Sequence, residues 1–336
     1  MCGLFGFSDY KNHQSTSFLN TLCNSLARES EVRGNHATGI SYINNGLVEI
    51  KKEAKAANKI DFKLPNNAAA VMGHTRFSTQ GSEKNNRNNH PFLGKVNNNY
   101  FAFAHNGVIY NDNQLKRDLK LPHTKIETDS YIGVQLLESQ KDLSLESHKY
   151  MAEQIQGSFT FTTLDKHNNL YITKGSSPIS IINFKEIGLF IYASMEKILW
   201  SAMMNTGLFG YIKGKLNSGK AEAIEFIELK DGEIMKLSAD GSISKCKFTM
   251  QEFELYMDWQ DFRRPYGGWH HMAMADANEY LNWEAEYLAD IIQTAASKGI
   301  NEEDILMLWE TGFDLGELEE LIYDPEILKD CLVGAY

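Results

Sequence analysis

The chain has 336 residues, 43% of them apolar, and carries 33 Lys and Arg against 44 Asp and Glu for a net charge of −11. That composition supports a sizeable core with an appendage, while the lack of any apolar run of about 18 residues or of a basic-then-apolar N-terminus supports neither a membrane span nor a secretion signal and makes the cytoplasm the expected compartment. The four cysteines (Cys2, Cys23, Cys246, Cys331) form no CxxC pair, so neither a disulfide framework nor a metal site is expected, and no cofactor is implied.

Short apolar or alternating runs between Gly, Asn and Asp predict strands at Leu4–Phe7, Gly39–Ile43, Ala69–Gly73, Tyr100–His105, Ser158–Leu164, Leu170–Thr173, Ile179–Ile182 and Leu189–Tyr192. Helical spacing predicts Ser17–Arg28, Asp129–Gln140 and Glu146–Gln154, the first placing Cys23 in register with Leu19, Leu22 and Leu26 as a core residue. Ile43-Asn44-Asn45-Gly46-Leu47 reads as a hairpin, because Asn and Gly supply the positive φ angles of a tight turn. Hairpins imply antiparallel sheets. Covered by helices, they give a layered α+β domain rather than a doubly wound one, and the absence of GxGxxG and Walker loops removes the common nucleotide-binding readings.

Composition breaks near residue 250. Residues 251–336 hold 20 Asp and Glu but four Lys and Arg, a net of −16, which leaves +5 for residues 1–250. They also hold four of the five tryptophans, Trp259, Trp269, Trp283 and Trp309. Helices are expected at Asp276–Ala296, ending before Gly299, then at Asp304–Glu310 behind an Asn301 cap, and at Leu315–Tyr323. The expected organisation is a main domain at 2–250 and an acidic, Trp-rich helical extension at 251–336. Phosphate would repel such a tail, so nucleic acid is not an expected partner.

The residues that suggest chemistry begin with Cys2. Removal of Met1 would give it a free α-amine with a pKa near ~8, able to take the thiol proton without a histidine. Four other segments place polar groups at strand ends or helix starts: Arg33-Gly34-Asn35-His36-Ala37-Thr38-Gly39, Gly73-His74-Thr75-Arg76-Phe77-Ser78-Thr79-Gln80-Gly81 with Asn89-His90-Pro91, Ala104-His105-Asn106-Gly107, and Glu127-Thr128-Asp129. Each alone has a plain structural reading: Asn106-Gly107 as a turn, Asp129 as a helix start, Arg76 as a surface ion-pair residue, and His36, His74 and His105 as structural histidines.

Taken together with Cys2-Gly3-Leu4-Phe5-Gly6, these segments, in their order and spacing, resemble the glutamine-hydrolysing domain of class II glutamine amidotransferases over residues 2–240. The resemblance implies a four-layer αββα N-terminal-nucleophile hydrolase sandwich. It implies that Cys2 attacks the glutamine side-chain amide to form a γ-glutamyl thioester, releasing glutamate and ammonia. Asn106 and Gly107 would form the oxyanion hole, Arg76 would hold the α-carboxylate and Asp129 the α-ammonium. Thr79 and His90 would line the pocket, and Arg33 would support the surroundings of the nucleophile. Three positions depart from the family pattern: Phe77 replaces a common tryptophan, Gln80 a common histidine, and His36 stands at or near a usual aspartate.

No synthase domain of the familiar relatives fits into about 86 residues, so an ammonia-consuming enzyme on a separate chain is the expected partner, besides L-glutamine itself. A stand-alone γ-glutamyl amide hydrolase and a degenerate, non-catalytic binding module are the alternatives. The retained Cys2 and pocket residues disfavour the last.

Overall fold

The computed structural model describes residues 2–78, 80–251, 287–310, 315–324, 327–329 and 331–332. Two compact units are present, Met1–Phe253 and Glu254–Tyr336. Among the described residues no helix is long and apolar enough to cross a membrane.

The first unit is built on two antiparallel sheets. One has the order β11-β9-β10-β1-β4-β2-β3, with β1 at Gly3–Asp9, β2 at Ala37–Asn44, β3 at Leu47–Glu53, β4 at Ala70–Arg76, β9 at Ser180–Phe184, β10 at Leu189–Ala193 and β11 at Ile224–Phe226. The other has the order β13-β12-β8-β7-β6-β5, with β5 at Phe92–Val96, β6 at Asn99–Ile109, β7 at Gly157–Asp165, β8 at Leu170–Lys174, β12 at Glu233–Leu237 and β13 at Ile243–Lys247. The expected hairpin closes β2 onto β3 with Asn44 opposite Leu47. Its two turn residues, Asn45 and Gly46, have φ of 51° and 74°, the twist that a two-residue loop between right-twisted strands requires.

Alternation along the strands fixes what lies between the layers. Leu4, Ala70, Met72, Ala102, Ala104, Leu164 and Ile172 form one cluster with residues of both sheets, while Phe101, Phe103, Phe159 and Phe161 join a second cluster with helix residues Ile132, Leu136 and Met151. Those four phenylalanines are at most 1% exposed, and burial of each contributes about 2–3 kcal/mol. A one-residue slip would turn them onto the wrong face, so the register is strongly specified.

Helices cover both outer faces. α1 (Thr16–Glu29) starts at Ser15, whose hydroxyl accepts from Phe18 N, and buries Leu19, Leu22, Cys23 and Leu26. It packs beside α5 (Glu196–Thr206) on the first sheet, while α3 (Tyr131–Glu138) and α4 (Leu145–Gln154) cover the second. The layers run helix, sheet, sheet, helix, as expected of an αββα sandwich.

In the second unit, helical residues 287–297 and the helices Glu302–Glu310 and Leu315–Leu321 close around Ile291, Ala295, Ile305, Leu308, Leu318 and Ile322. Gly299, at φ 78°, follows the first of them, and Glu302, Glu303 and Asp304 occupy the first turn of the next, where the helix dipole favours acids. Trp309 packs against this cluster. Trp259, Trp269, Trp283 and the first part of the helix expected at Asp276–Ala296 lie outside the described residues.

Candidate active site

Three apolar stripes that fill the space between the sheets end in polar residues at the same edge. On β4 the stripe Ala70, Met72 continues with the period of two to His74 and Arg76; on β6 the stripe Ala102, Ala104 continues to Asn106; and on β1 the position two before Leu4 is Cys2. Because every second side chain of a strand shares a face, Cys2, Arg76 and Asn106 are directed to one inter-sheet space. His74 Nε2 lies 3.0 Å from the His105 carbonyl, a cross-sheet contact that sets β4 against β6 beside them.

Local sequence explains how close these strands come. Gly3 pairs with Thr75, and a Cβ on Gly3 would meet the Thr75 hydroxyl and the Ser30 carbonyl. Gly107 has φ of 133°, and a Cβ there would collide with the Ser158 carbonyl. Only glycine suits that backbone. The preceding Asn106 is fully buried, yet neither its Nδ2 nor its Oδ1 has a hydrogen-bond partner, which costs stability unless something occupies the space it faces.

Arg76 is 3% exposed. Its guanidinium donates to Asn89 Oδ1 at 2.7 Å and to the carbonyls of Gln80 and Gly81 at 2.6 and 2.7 Å. All three partners are neutral, and among the described residues no carboxylate pairs with it. Asp129, 7% exposed, likewise receives only neutral donors, Ile109 N at 2.7 Å and the Ser130 hydroxyl at 3.2 Å. A buried cation and a buried anion thus stand near each other without forming an ion pair.

The loop between β4 and β5 holds these two groups apart. Gln80 Oε1 accepts from Asp129 N at 2.9 Å while its carbonyl accepts from Arg76. Asn88 and Glu127 exchange bonds, Asn88 Nδ2 to Glu127 Oε2 at 2.7 Å and Glu127 N to Asn88 Oδ1 at 3.0 Å. In the sequence Gln80 stands out only as a departure from a common histidine and Asn89 only as the residue before His90, and neither they nor Asn88 carries an assigned role there. Lys52 backs the loop, its ammonium donating to the carbonyls of Asn89 and Pro91, and burial, then Arg76, push its pKa down to about 8.

The Cys2 thiol donates to the Phe77 carbonyl at 3.5 Å, and the Cys2 carbonyl accepts from Arg33 Nε at 2.9 Å. Burial raises the thiol pKa; the amino terminus, the Phe77 hydrogen bond and Arg76 oppose that rise, and the Asp129 carboxylate adds to it. The thiol is therefore protonated near neutrality. Among the described residues no histidine is hydrogen-bonded to it. His36 stacks on Phe77 at 4.7 Å and its Nδ1 accepts from Ser78 N at 3.0 Å, which shapes the backbone that Cys2 touches.

His90 is 3% exposed and lies between His74 at 4.1 Å and Phe92 at 4.3 Å. Burial, then the neighbouring histidines, hold it well below the ordinary histidine range, and burial pushes His74 down to about 3. Both are neutral and stacked on each other, and neither ring nitrogen of His90 has a hydrogen-bond partner among the described residues. Among the described residues no group of three His, Cys, Asp or Glu could hold a metal.

Comparison with known proteins agrees with this geometry. Residues 74–201 match the family described as "Glutamine amidotransferase domain". The chain carries a class II glutamine amidotransferase domain. It is 28% identical over 261 residues to the glutamine–fructose-6-phosphate aminotransferase (isomerizing) of Listeria innocua, covering 76% of this chain and 37% of that one. The corresponding Staphylococcus aureus enzyme is 32% identical over 192 residues, 53% of this chain and 30% of its own. The chain thus spans well under half the length of these curated relatives. The glutamine phosphoribosylpyrophosphate amidotransferase of B. subtilis, solved with ADP and GMP, shares the fold at a TM-score of 0.55 and 20% identity, covering 74% of this chain and 50% of that one. In this amidotransferase domain Cys2, Arg76, Asn106 and Gly107 stand at one inter-sheet edge, Arg33 and Asp129 bind backbone there at Cys2 and Ile109, and Thr79 lies outside the described residues.

Proposed function

We propose that the amidotransferase domain, residues 2–250, hydrolyses the side-chain amide of L-glutamine and that its ammonia serves an acceptor reaction on a partner chain, with 251–336 as an acidic extension. The observation that carries this reading is the unpaired buried couple of Arg76 and Asp129 beside the Cys2 thiol. A free amino acid presents the complement of that couple, one carboxylate and one ammonium, and each charge-assisted contact is worth about 1.5–3 kcal/mol. Glutamine held so would direct its amide toward Cys2.

Once Met1 is removed, the α-amine of Cys2 takes the thiol proton as Sγ bonds to the amide carbon. The Asn106 Nδ2 and the Gly107 N–H receive the developing oxyanion, each donor contributing about 3 kcal/mol. Collapse breaks the C–N bond, the amine's proton passes to the leaving nitrogen and ammonia departs. Water then attacks the thioester, giving glutamate and restoring the thiol. The relatives' names pair glutamine with a second substrate in an amino or amido transfer, fructose 6-phosphate or phosphoribosylpyrophosphate, which supports the acceptor reaction.

Intact mass and glutamate release on one preparation test the reading. Active protein should lack Met1, Cys2→Ala should lose glutamine turnover, and the rate should rise with pH through the α-amine pKa near ~8. Full activity with Met1 retained, or a strong preference for γ-glutamyl peptides over glutamine, would overturn it.

A further inference from the structure

Away from the Cys2 edge, a groove of ≈ 600 Å³ opens between β3, β5 and the segment before α3, a size common for small-molecule sites. Leu93 and Ile126 give it an apolar floor beside the buried Phe92, and Lys52, Arg87 and Lys125 bring three positive charges to it, with no carboxylate among the lining residues. Arg87 and Lys125 are exposed, and among the described residues none of the three cations forms an ion pair. Leu93 is 48% exposed, an unusual place to leave a leucine beside unpaired charge.

Lys52 is the fixed member of the trio. Two carbonyls, Asn89 and Pro91, tie its ammonium down, and it lies 5.2 Å from the centre of the Phe92 ring. An ammonium has three donors, so one remains for a ligand. Arg87 offers a planar fork suited to phosphate oxygens. Thr124 adds a hydroxyl to the lining, already turned to accept from Ile126 N at 3.1 Å.

We propose that this groove binds a small phosphate ester, with the phosphate held by Lys52, Arg87 and Lys125 and the organic body laid on Leu93 and Ile126. Charge complementarity selects the phosphate, and the apolar floor selects an ester over the free ion. The proposal is independent of the glutamine reading, because none of these five side chains belongs to the Cys2 edge. Asn89 nevertheless joins the two places: its carbonyl receives Lys52 and its side chain receives Arg76.

Calorimetric titration with phenyl phosphate, inorganic phosphate and phenol, at matched ionic strength, tests it. Phenyl phosphate should bind saturably and about 10-fold more tightly than inorganic phosphate, with phenol far weaker. Loss of two charge-assisted contacts in Arg87→Gln/Lys125→Gln should weaken phenyl phosphate at least ~10-fold, while the thermal midpoint and glutamine turnover without added phosphate stay unchanged. The single variants, at two exposed positions, should each lose part of that affinity. Absence of saturable phenyl phosphate binding up to about 10 mM, equal binding by the double variant, or equal displacement by chloride would overturn the proposal.

Discussion

Asn106→Leu separates the demands of the fold from those of the reaction. The wild-type amide is fully buried and neither polar atom has a partner, so an apolar side chain of similar size removes a desolvation cost of about 1–3 kcal/mol. The variant should therefore unfold at higher urea, by that free energy divided by an unchanged m-value. The same substitution deletes one oxyanion donor and should lower kcat about 10²- to 10³-fold, with little change in KM, since the lost contact forms only in the transition state. Gly107 N–H keeps a residual rate. Urea melts followed by fluorescence and glutamate release on the same preparations give both numbers. Destabilisation by more than about 1 kcal/mol with kcat within a factor of about three would make Asn106 a structural residue and refute the assignment.

Gly107→Ala should cost both stability and turnover, because the backbone there has φ of 133° and a Cβ would strike the Ser158 carbonyl; wild-type melting and activity would contradict the close approach. Asp129→Asn keeps one carbonyl acceptor, for Ile109 N, turns an amide NH2 toward the Ser130 hydroxyl and loses the charge, so KM for glutamine should rise about 10- to 150-fold, and an unchanged KM would remove Asp129 from the ammonium site. His148, fully buried and stacked on Tyr171 at 4.3 Å, has its pKa pushed from 6.5 to about 4 by burial. In that window the unfolded chain binds the proton and the folded one does not, so its contribution is present above pH 6.5 and lost as pH falls toward 4. The loss is roughly 2 kcal/mol near pH 5, and His148→Phe should flatten the stability profile there; an unchanged slope would refute the assignment.

The meeting of Cys2, Arg76, Asn106, Gly107 and Asp129 was legible because each sits in a short segment whose residue types have few alternative uses in combination. The sandwich was legible because hairpin turns and period-two runs specify antiparallel sheets. β13 was not, since its pattern Ile243-Ser244-Lys245-Cys246-Lys247 is almost wholly exposed at a sheet edge and no buried face imprints a period on it. α5 and α6 (Leu208–Asn217) meet at Gly207, φ 78°, with no polar loop between them, which blurs the helical spacing of each. The roles of Gln80, Asn88 and Asn89 depend on partners up to 49 residues away, and nothing local announces them.

The loop that separates Arg76 from Asp129 is held by amides: Asn89 to the guanidinium, Gln80 to the Asp129 backbone, Asn88 to Glu127. The Gln80 and Asn89 amides neither gain nor lose a proton in ordinary buffers, so the spacing of Arg76 and Asp129 does not depend on the protonation of the two side chains that set it. A clasp of carboxylates at the same two positions would let go in acid, and the distance between the two charges would drift with it; the amide clasp keeps one gauge in acid and at neutrality.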